Sequence, residues 1–503
     1  ALLAFALLFT ASMNYILIVV SSMVGRSKEV AVQKCYGASG RNISSLILAE
    51  TLVHTLLALG LAALLILAFR GTVEQITGTS LGALFTWQSC LILLGVVGLV
   101  FLLTGVAPSY LFSKISVASG LRNYRESKRS WKRVLLFVQF SAATFLVTLM
   151  IIIGKQYDLM IHDDPGYDYR NVLYCQTAGV SPSVRQKALA ELDRLAFVER
   201  TASCETLPIL GASGNNVRKI GEGDLFNYAD LYGIDADYLP LMKIPVIEGR
   251  NFLPEQADST QAIVSRAFAD KLCLLLGWQD GVVGKSLQFT AHGHSAIICG
   301  VYENIRVGSI QSQDNRPSAM FYSKTPEENL MIRLSELKPE YITRVTDIIA
   351  GLMPDKDIQV IPYKAEVTEQ YASSKLFRNT VMIGSLITLL ISLIGLIGYT
   401  QDETTRRSKE IAIRKVNGAT APGIVRIIAR DVVLMALPAA VVGVFCSYFT
   451  GENWLAKFAE KVPLSAALFL TGSLIVLVIV TGCVVLKTWR IANENPVRSL
   501  KRE

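Results

Sequence analysis

Seven long apolar runs decide what this chain can become. They lie near 1–24, 44–69, 86–112, 134–153, 380–400, 424–450 and 464–486. Each holds about 20 residues or more, the length at which a helix crosses about 30 Å of hydrocarbon. Runs 1–24, 86–112, 134–153, 380–400 and 464–486 contain no Asp, Glu, Lys or Arg. A charged side chain at a helix centre costs roughly 2.5–3.5 kcal/mol on insertion scales, so such runs read as membrane spans. Glu50, His54, Arg430 and Asp431 intrude, all toward one end of their runs. Midplane carboxylates and broken helices, the marks of an ion-driven transporter, are not evident.

Charge divides the chain in the same way. Residues 155–376 hold 22 Lys+Arg and 29 Asp+Glu, a net charge of −7. The rest hold 27 basic and 12 acidic residues, or +15, and the two parts sum to +8. A basic membrane part therefore surrounds one acidic soluble part, which excludes disorder and a soluble nucleic-acid binder. Loop 25–43 carries Arg26, Lys28, Lys34 and Arg41, and loop 113–133 carries seven Lys or Arg. Loop 401–423 carries Arg406, Arg407, Lys409, Arg414 and Lys415, and the tail carries Lys487, Arg490, Arg498, Lys501 and Arg502. The alternate connections, 70–85 and 451–463, are poorer in basic charge. Lys and Arg mark the cytoplasmic side of short loops, so residue 1 is expected outside, 154–379 outside and the C-terminus inside.

A duplication sharpens the picture. Residues 26–39 read RSKEVAVQKCYGAS and residues 407–420 read RSKEIAIRKVNGAT, aligned without gaps at an offset of 381. Eight of the fourteen positions are identical, and the same offset pairs Glu50 with Asp431. Each copy follows one span and precedes two more, so the membrane part is two related halves. Lys28 to Lys34 and Lys409 to Lys415 each predict a short amphipathic helix along the membrane surface. Glu410 stands four residues before Arg414, a favourable helical pair, whereas Glu29 faces Gln33. Gly37 and Gly418 suit a left-handed helix end. Ser39 and Thr420 suit N-caps, and Pro422 suits a first helical turn.

The strings KEVAVQKCYGAS and KEIAIRKVNGAT resemble the coupling-helix signature of FtsX/MacB-type ABC transporter permeases. Asn495-Pro496-Val497-Arg498-Ser499-Leu500 resembles that family's closing motif, and Ser116–Leu121 is a weaker counterpart without Pro. The eight-span form found in Bacteroidetes-like bacteria has the same layout, and that resemblance implies a first span and outside domain before residue 1. It also implies a membrane permease subunit without its own ATPase activity, set in the bacterial inner membrane. A separate ABC ATPase subunit would bind ATP and Mg and press on Lys28, Glu29, Lys34, Gly37 and Ala38. It would press equally on Lys409, Glu410, Arg414, Lys415, Gly418 and Ala419. The spans would carry that motion outward by mechanotransmission, for export or release of a substrate. Beyond lipid, the implied partners are a periplasmic adaptor or a second permease copy, and no nucleic acid. A second reading is an FtsX-like regulator that moves no substrate and relays ATPase motion to a cell-wall hydrolase.

The expected architecture is an α-helical transmembrane bundle with an inserted α+β domain. Residues 1–153 would hold three spans plus the first span of the second half, 134–153. Residues 154–379 would form the outside domain, resembling the MacB periplasmic core, and 380–503 the second half. Within the outside domain, Asn171–Cys175, Ala262–Val264, Ser295–Val301, Ala319–Tyr322 and Ile358–Ile361 predict strands. Val184–Leu195, Arg266–Leu276 and Tyr341–Leu352 predict helices, giving one or two lobes. Asp164–Asp168, Ile247–Phe252 and Val264–Ala269 read as turns, caps and core.

Catalytic motifs are not evident. Gly281-Val-Val-Gly284-Lys285-Ser286 lacks the Gly spacing of a phosphate loop, since position 279 is Gln. His292 and His294 read as solvated loop residues. Asp163, Asp164 and Asp168 form an acidic turn for which Ca²⁺ is a weak candidate. Cys175, Cys204, Cys273 and Cys299 lie where disulfides are permitted, with three pairings open and unpaired core thiols equally open.

Overall fold

The computed structural model describes residues 2–117, 130–221, 223–255, 260–290 and 294–493. The helices, in chain order, begin with α1 (Leu2–Cys35), α2 (Gly40–Ala68), α3 (Arg70–Thr77), α4 (Leu81–Leu84), α5 (Trp87–Ser113) and α6 (Ser130–His162). Next come α7 (Pro182–Leu192), α8 (Tyr238–Leu241), α9 (Arg266–Leu276), α10 (Pro339–Leu352) and α11 (Tyr363–Gln370). The last are α12 (Ala372–Arg406), α13 (Ser408–Val416), α14 (Ala421–Leu455) and α15 (Ala466–Ala492). Two compact units emerge: residues 1–157, 374–455 and 462–503 in the first, residues 158–373 and 456–461 in the second.

The first unit is helical. Among the described residues, six helices are long and apolar enough to cross a membrane: α2, α5, α6, α12, α14 and α15. The first apolar run lies on α1, whose described apolar stretch is Leu7–Val19. The helices α6, α12, α14 and α15 share a core of Phe140, Val147, Leu396, Ile428, Val432 and Val480, into which Leu17 of α1 also packs. Without a hydrophobic drive between helices in lipid, close packing needs small residues. Gly443 of α14 supplies one, since a Cβ there would stand 2.6 Å from the Ser141 carbonyl oxygen of α6. Gly472 of α15 supplies another, with Thr148 Oγ1 at 2.5 Å from such a Cβ. Ser385 Oγ donates to the Leu146 carbonyl at 2.9 Å, joining α12 to α6. By contrast, α2 and α5 pack on each other while Leu56, Leu57, Leu64, Ile92 and Leu94 remain exposed, as a lipid-facing surface would.

The second unit is an α+β domain of two lobes. The strands are β1 (Val172–Gln176), β2 (Val198–Cys204), β3 (Ser213–Arg218), β4 (Asp224–Ile234), β5 (Val246–Gly249), β6 (Gln261–Ser265), β7 (Ser286–Phe289), β8 (His294–Tyr302), β9 (Ser318–Tyr322), β10 (Asn329–Leu334) and β11 (Val360–Pro362). In one lobe, β11, β1, β10 and β2 form an antiparallel sheet under α7 and α10, with Leu173, Cys175, Ile332, Val345 and Ile349 buried between. In the other, β4, β3, β7, β8, β6 and β9 run in order, and β9 pairs back with β4, closing a six-stranded ring. Closure leaves these strands no free edge between them. Phe226, Tyr228, Phe268, Phe289 and Phe321 fill the ring, with Phe289 edge-on to Phe321 at 4.9 Å. Ser265 caps α9 by accepting the Phe268 N–H, which aims Phe268 into that core. The lobes meet where β2 joins β4 through Cys204 and Ile234.

Candidate functional site: two matched levers

Both copies of the repeat end in the same turn. In the first, Ala38 N–H donates to the Gln33 carbonyl at 3.0 Å and Gly37 N–H to the Lys34 carbonyl at 3.1 Å. In the second, Ala419 N–H donates to Arg414 at 2.8 Å and Gly418 N–H to Lys415 at 3.0 Å. This pair of bonds is the Schellman helix end, which requires a left-handed residue. Gly37 has φ +93° and Gly418 has φ +88°. Ser39 then caps α2 by accepting the Asn42 N–H. Thr420 accepts the Ile424 N–H on its carbonyl at the start of α14.

The helices before these turns differ. The second copy is a separate nine-residue helix, α13. The first is the last part of α1, which continues unbroken to Cys35, so the expected separate helix over 28–34 does not form. The break in the second copy falls at Arg407, at φ −89° and ψ 11°. Arg407 is held from two sides, donating to Glu403 at 2.7 Å and to Asp431 at 2.8 Å.

Each lever buries one face and shows another. Val30 and Ala31 are buried, as is Ala412, which matches Ala31 in the repeat. Val30 packs with Ile43, Ile47, Phe112 and Ile115, tying the lever to α2 and the end of α5. Lys28 and Glu29 are exposed, as are Glu410, Arg414, Gly418 and Ala419. Glu410 and Arg414 meet at 2.7 Å. Glu29 instead lies 3.6 Å from Arg26 and accepts from Gln33 at 3.5 Å. Exposed Val32, Tyr36, Ile413 and Val416 add apolar surface. A hollow of about 430 Å³ at the first turn is lined by Val32, Gln33, Tyr36, Gly37, Asn42 and Ile43.

Lys34 is not free for a partner. Its ammonium donates to the Ser113 carbonyl at 2.7 Å and the Ile115 carbonyl at 2.6 Å. It thereby satisfies carbonyls at the C-terminus of α5, where a cation is also favoured by the helix dipole. Its counterpart Lys415 is half-buried, and Lys409 lies on α13.

Sequence reasoning noticed Glu50 and Asp431 at matching positions but not their partners. Arg26 Nη1 and Nη2 donate to the two carboxylate oxygens of Glu50 at 2.8 and 2.7 Å. Arg407 reaches Asp431 across the same 24-residue separation. The signal was available, because Arg26 and Arg407 open the two copies at the same offset.

Two family models match the chain. The FtsX-like permease C-terminal model matches residues 1–117 and 382–496, and the MacB-like periplasmic core domain model matches 141–361. The chain belongs to the FtsX/MacB-type ABC transporter permeases. No curated protein matches it. The permease is thus a multi-pass membrane protein with a periplasmic domain.

Asp163 pairs with Arg306, and Asp168 pairs with Lys243 at 2.9 Å and Arg333 at 3.4 Å, so two of the acidic turn's three carboxylates already have cationic partners. Asp164 accepts the Gly166 N–H at 2.9 Å within that turn. Gly249 runs at φ +70° with the Cys299 carbonyl oxygen 2.4 Å from where a Cβ would stand, which explains the glycine within Ile247–Phe252. Lys285 donates to Asp280 at 2.7 Å beside the false phosphate loop. Cys175, Cys204 and Cys299 are buried free thiols and Cys273 is half-buried. Burial pushes the Cys175 thiol up to about 12 and Cys299 up to about 11, so neither is reactive near neutrality. His292, Ala118–Leu121 and the motif Asn495–Leu500 lie outside the described residues.

Proposed function

We propose that this permease is the non-catalytic membrane subunit of a mechanotransmission complex. A separate ABC ATPase subunit, which holds ATP and Mg, docks on both levers from the cytoplasm of a bacterial cell. Closure of the ATPase subunits moves the levers, and α6 and α12, which flank the periplasmic domain in the sequence, carry the motion to it. Substrate is exported or released on that side.

The observation behind this reading is the matched pair of lever ends, Gly37 and Gly418 with their identical hydrogen-bond patterns and exposed charged faces. A loop that needed only basic charge would not repeat a specific left-handed turn. The test reverses Glu410 and Arg414 singly in the intact chain with its ATPase and follows ATP turnover and transport. The expected result is loss of permease-stimulated turnover; unchanged turnover and transport would contradict the reading.

A further inference from the structure

We infer that Arg26 with Glu50, and Arg407 with Asp431, are positioning residues that fix each lever's angle to the following span. The inference rests on the coupling role proposed above and adds residues to it. Three observations carry it. The pairs occupy identical places in the two copies, and both are formed, at 2.7 and 2.8 Å. Each guanidinium bridges two carboxylates, one close by in sequence and one on the next span. The nearby partner is Glu29, three residues on along α1, in the first copy and Glu403, four residues back at the end of α12, in the second. The two copies therefore reach one arrangement with different local acids, and what they share is the link to the next span. Finally, the side chains are only partly exposed, 33% and 37% in the first pair, 18% and 41% in the second. An Arg–carboxylate pair that is partly withdrawn from water resists rotation better than a freely solvated one, and the first pair is bidentate as well.

The mechanical consequence follows from place. A push on a lever joined to the next span only by its turn would bend that turn. With the guanidinium bridging the lever's base to α2 or α14, the same push tilts the span. In the first copy Lys34 adds a second fixed point on α5, so the lever, α2 and α5 move together. The exposed residues Lys28, Glu29, Glu410 and Arg414 would then meet the partner, while the Arg residues transmit.

The experiment compares the intact chain with R26E, E50R, the conservative E50Q and the double swap R26E/E50R. Two quantities are read: hydrogen exchange over residues 28–36 in the chain alone, and ATPase stimulation at equal amounts of co-purified ATPase. The joint predicts about tenfold faster exchange and about tenfold lower stimulation in E50Q and in each charge reversal, with docking retained. The swap should restore both to within about threefold. Unchanged exchange, or stimulation that survives in E50Q, overturns the joint. Faster exchange in E50Q beside a wild-type chain that stimulates no ATPase would leave the joint standing and overturn the coupling role instead.

Discussion

Arg26 of α1 and Glu50 of α2 form a two-pronged ion pair, and 381 residues later Arg407 and Asp431 pair at the matching positions through a single bond. Duplication preserved both ends of a contact that spans 24 residues, through a change from Glu to Asp. The shorter acid in the second copy is met by one nitrogen of Arg407, and Glu403 takes another. The two stretches that match the permease model thus share an ion pair as well as the repeat.

The lever ends set a first expectation. Nothing lies within 4 Å of a Cβ built on Gly37 or Gly418, so an Ala there pays only for its left-handed backbone. Gly37→Ala and Gly418→Ala should each destabilise the turn by about 1–2 kcal/mol, read as faster hydrogen exchange at residues 34–38 or 415–419. Exchange equal to wild type would mean the turn does not depend on the left-handed glycine.

Lys34 and Lys28 should behave differently despite equal charge. Lys34→Met removes two charge-assisted hydrogen bonds at the end of α5 and should lower the stability of the detergent-solubilised chain by about 1–2 kcal/mol. Lys28→Met, at an exposed position, should stay within about 0.5 kcal/mol. Thermal melts of the two variants compare them directly, and equal melts would refute the capping role.

The Glu410–Arg414 pair is exposed and lies one helical turn apart, so its stabilising effect is small, about 0.3–0.5 kcal/mol. Glu410→Gln should therefore leave the melt nearly unchanged. If ATPase stimulation falls in the same variant, the loss belongs to docking rather than to folding.

Close helix contact predicts intolerance at Gly443 and Gly472. A side chain at either would collide with α6, at the Ser141 carbonyl or at Thr148. Gly443→Leu or Gly472→Leu should cost about 3 kcal/mol or more, seen as loss of folded protein in detergent by size-exclusion profile. The neighbouring Gly482, with nothing within 4 Å of its Cβ, should accept Ala.

A pH dependence is expected in the periplasmic domain. Burial pushes the Asp235 carboxyl up to about 6, against the Ser203 hydroxyl and N–H that donate to it. The folded domain then holds this proton more tightly than the unfolded chain, whose carboxyl titrates near 3.9. Asp235's contribution is therefore greatest below about pH 4 and falls as pH rises through 6, by on the order of 2–3 kcal/mol. Protection of β2 and β4 amides, corrected for intrinsic exchange, should decline over that window. Protection that is flat or rises from pH 4 to 6 would contradict it.

Legibility varied with how local the determining interaction was. The helix over Arg266–Leu276 was readable to the residue, because its apolar stripe and its Ser265 cap lie within the segment. The lever turns were readable because glycine's left-handed freedom is a property of one residue. Strands β2, β3, β4, β5, β7 and β10 were not read. Several alternate polar and apolar residues weakly, as in Asp224–Ile234, and their strand state depends on partners far along the chain. The separate first lever was misjudged for a related reason. Position 407 leaves helical geometry where its guanidinium is held between Glu403 and Asp431, and the first copy has Ser22 in place of Glu403.

Hydrophobic length, the sign of loop charge and the repeat are properties of the string of residues, and they alone specified a duplicated membrane bundle around an acidic domain. The destination of each charged side chain was another matter. That Arg26 meets Glu50, that Lys34 closes the end of α5, and that β9 returns to β4 depend on which distant segments packing brings together. Such pairings are chosen by the competition between desolvation and contact in three dimensions, and no local pattern encodes their outcome.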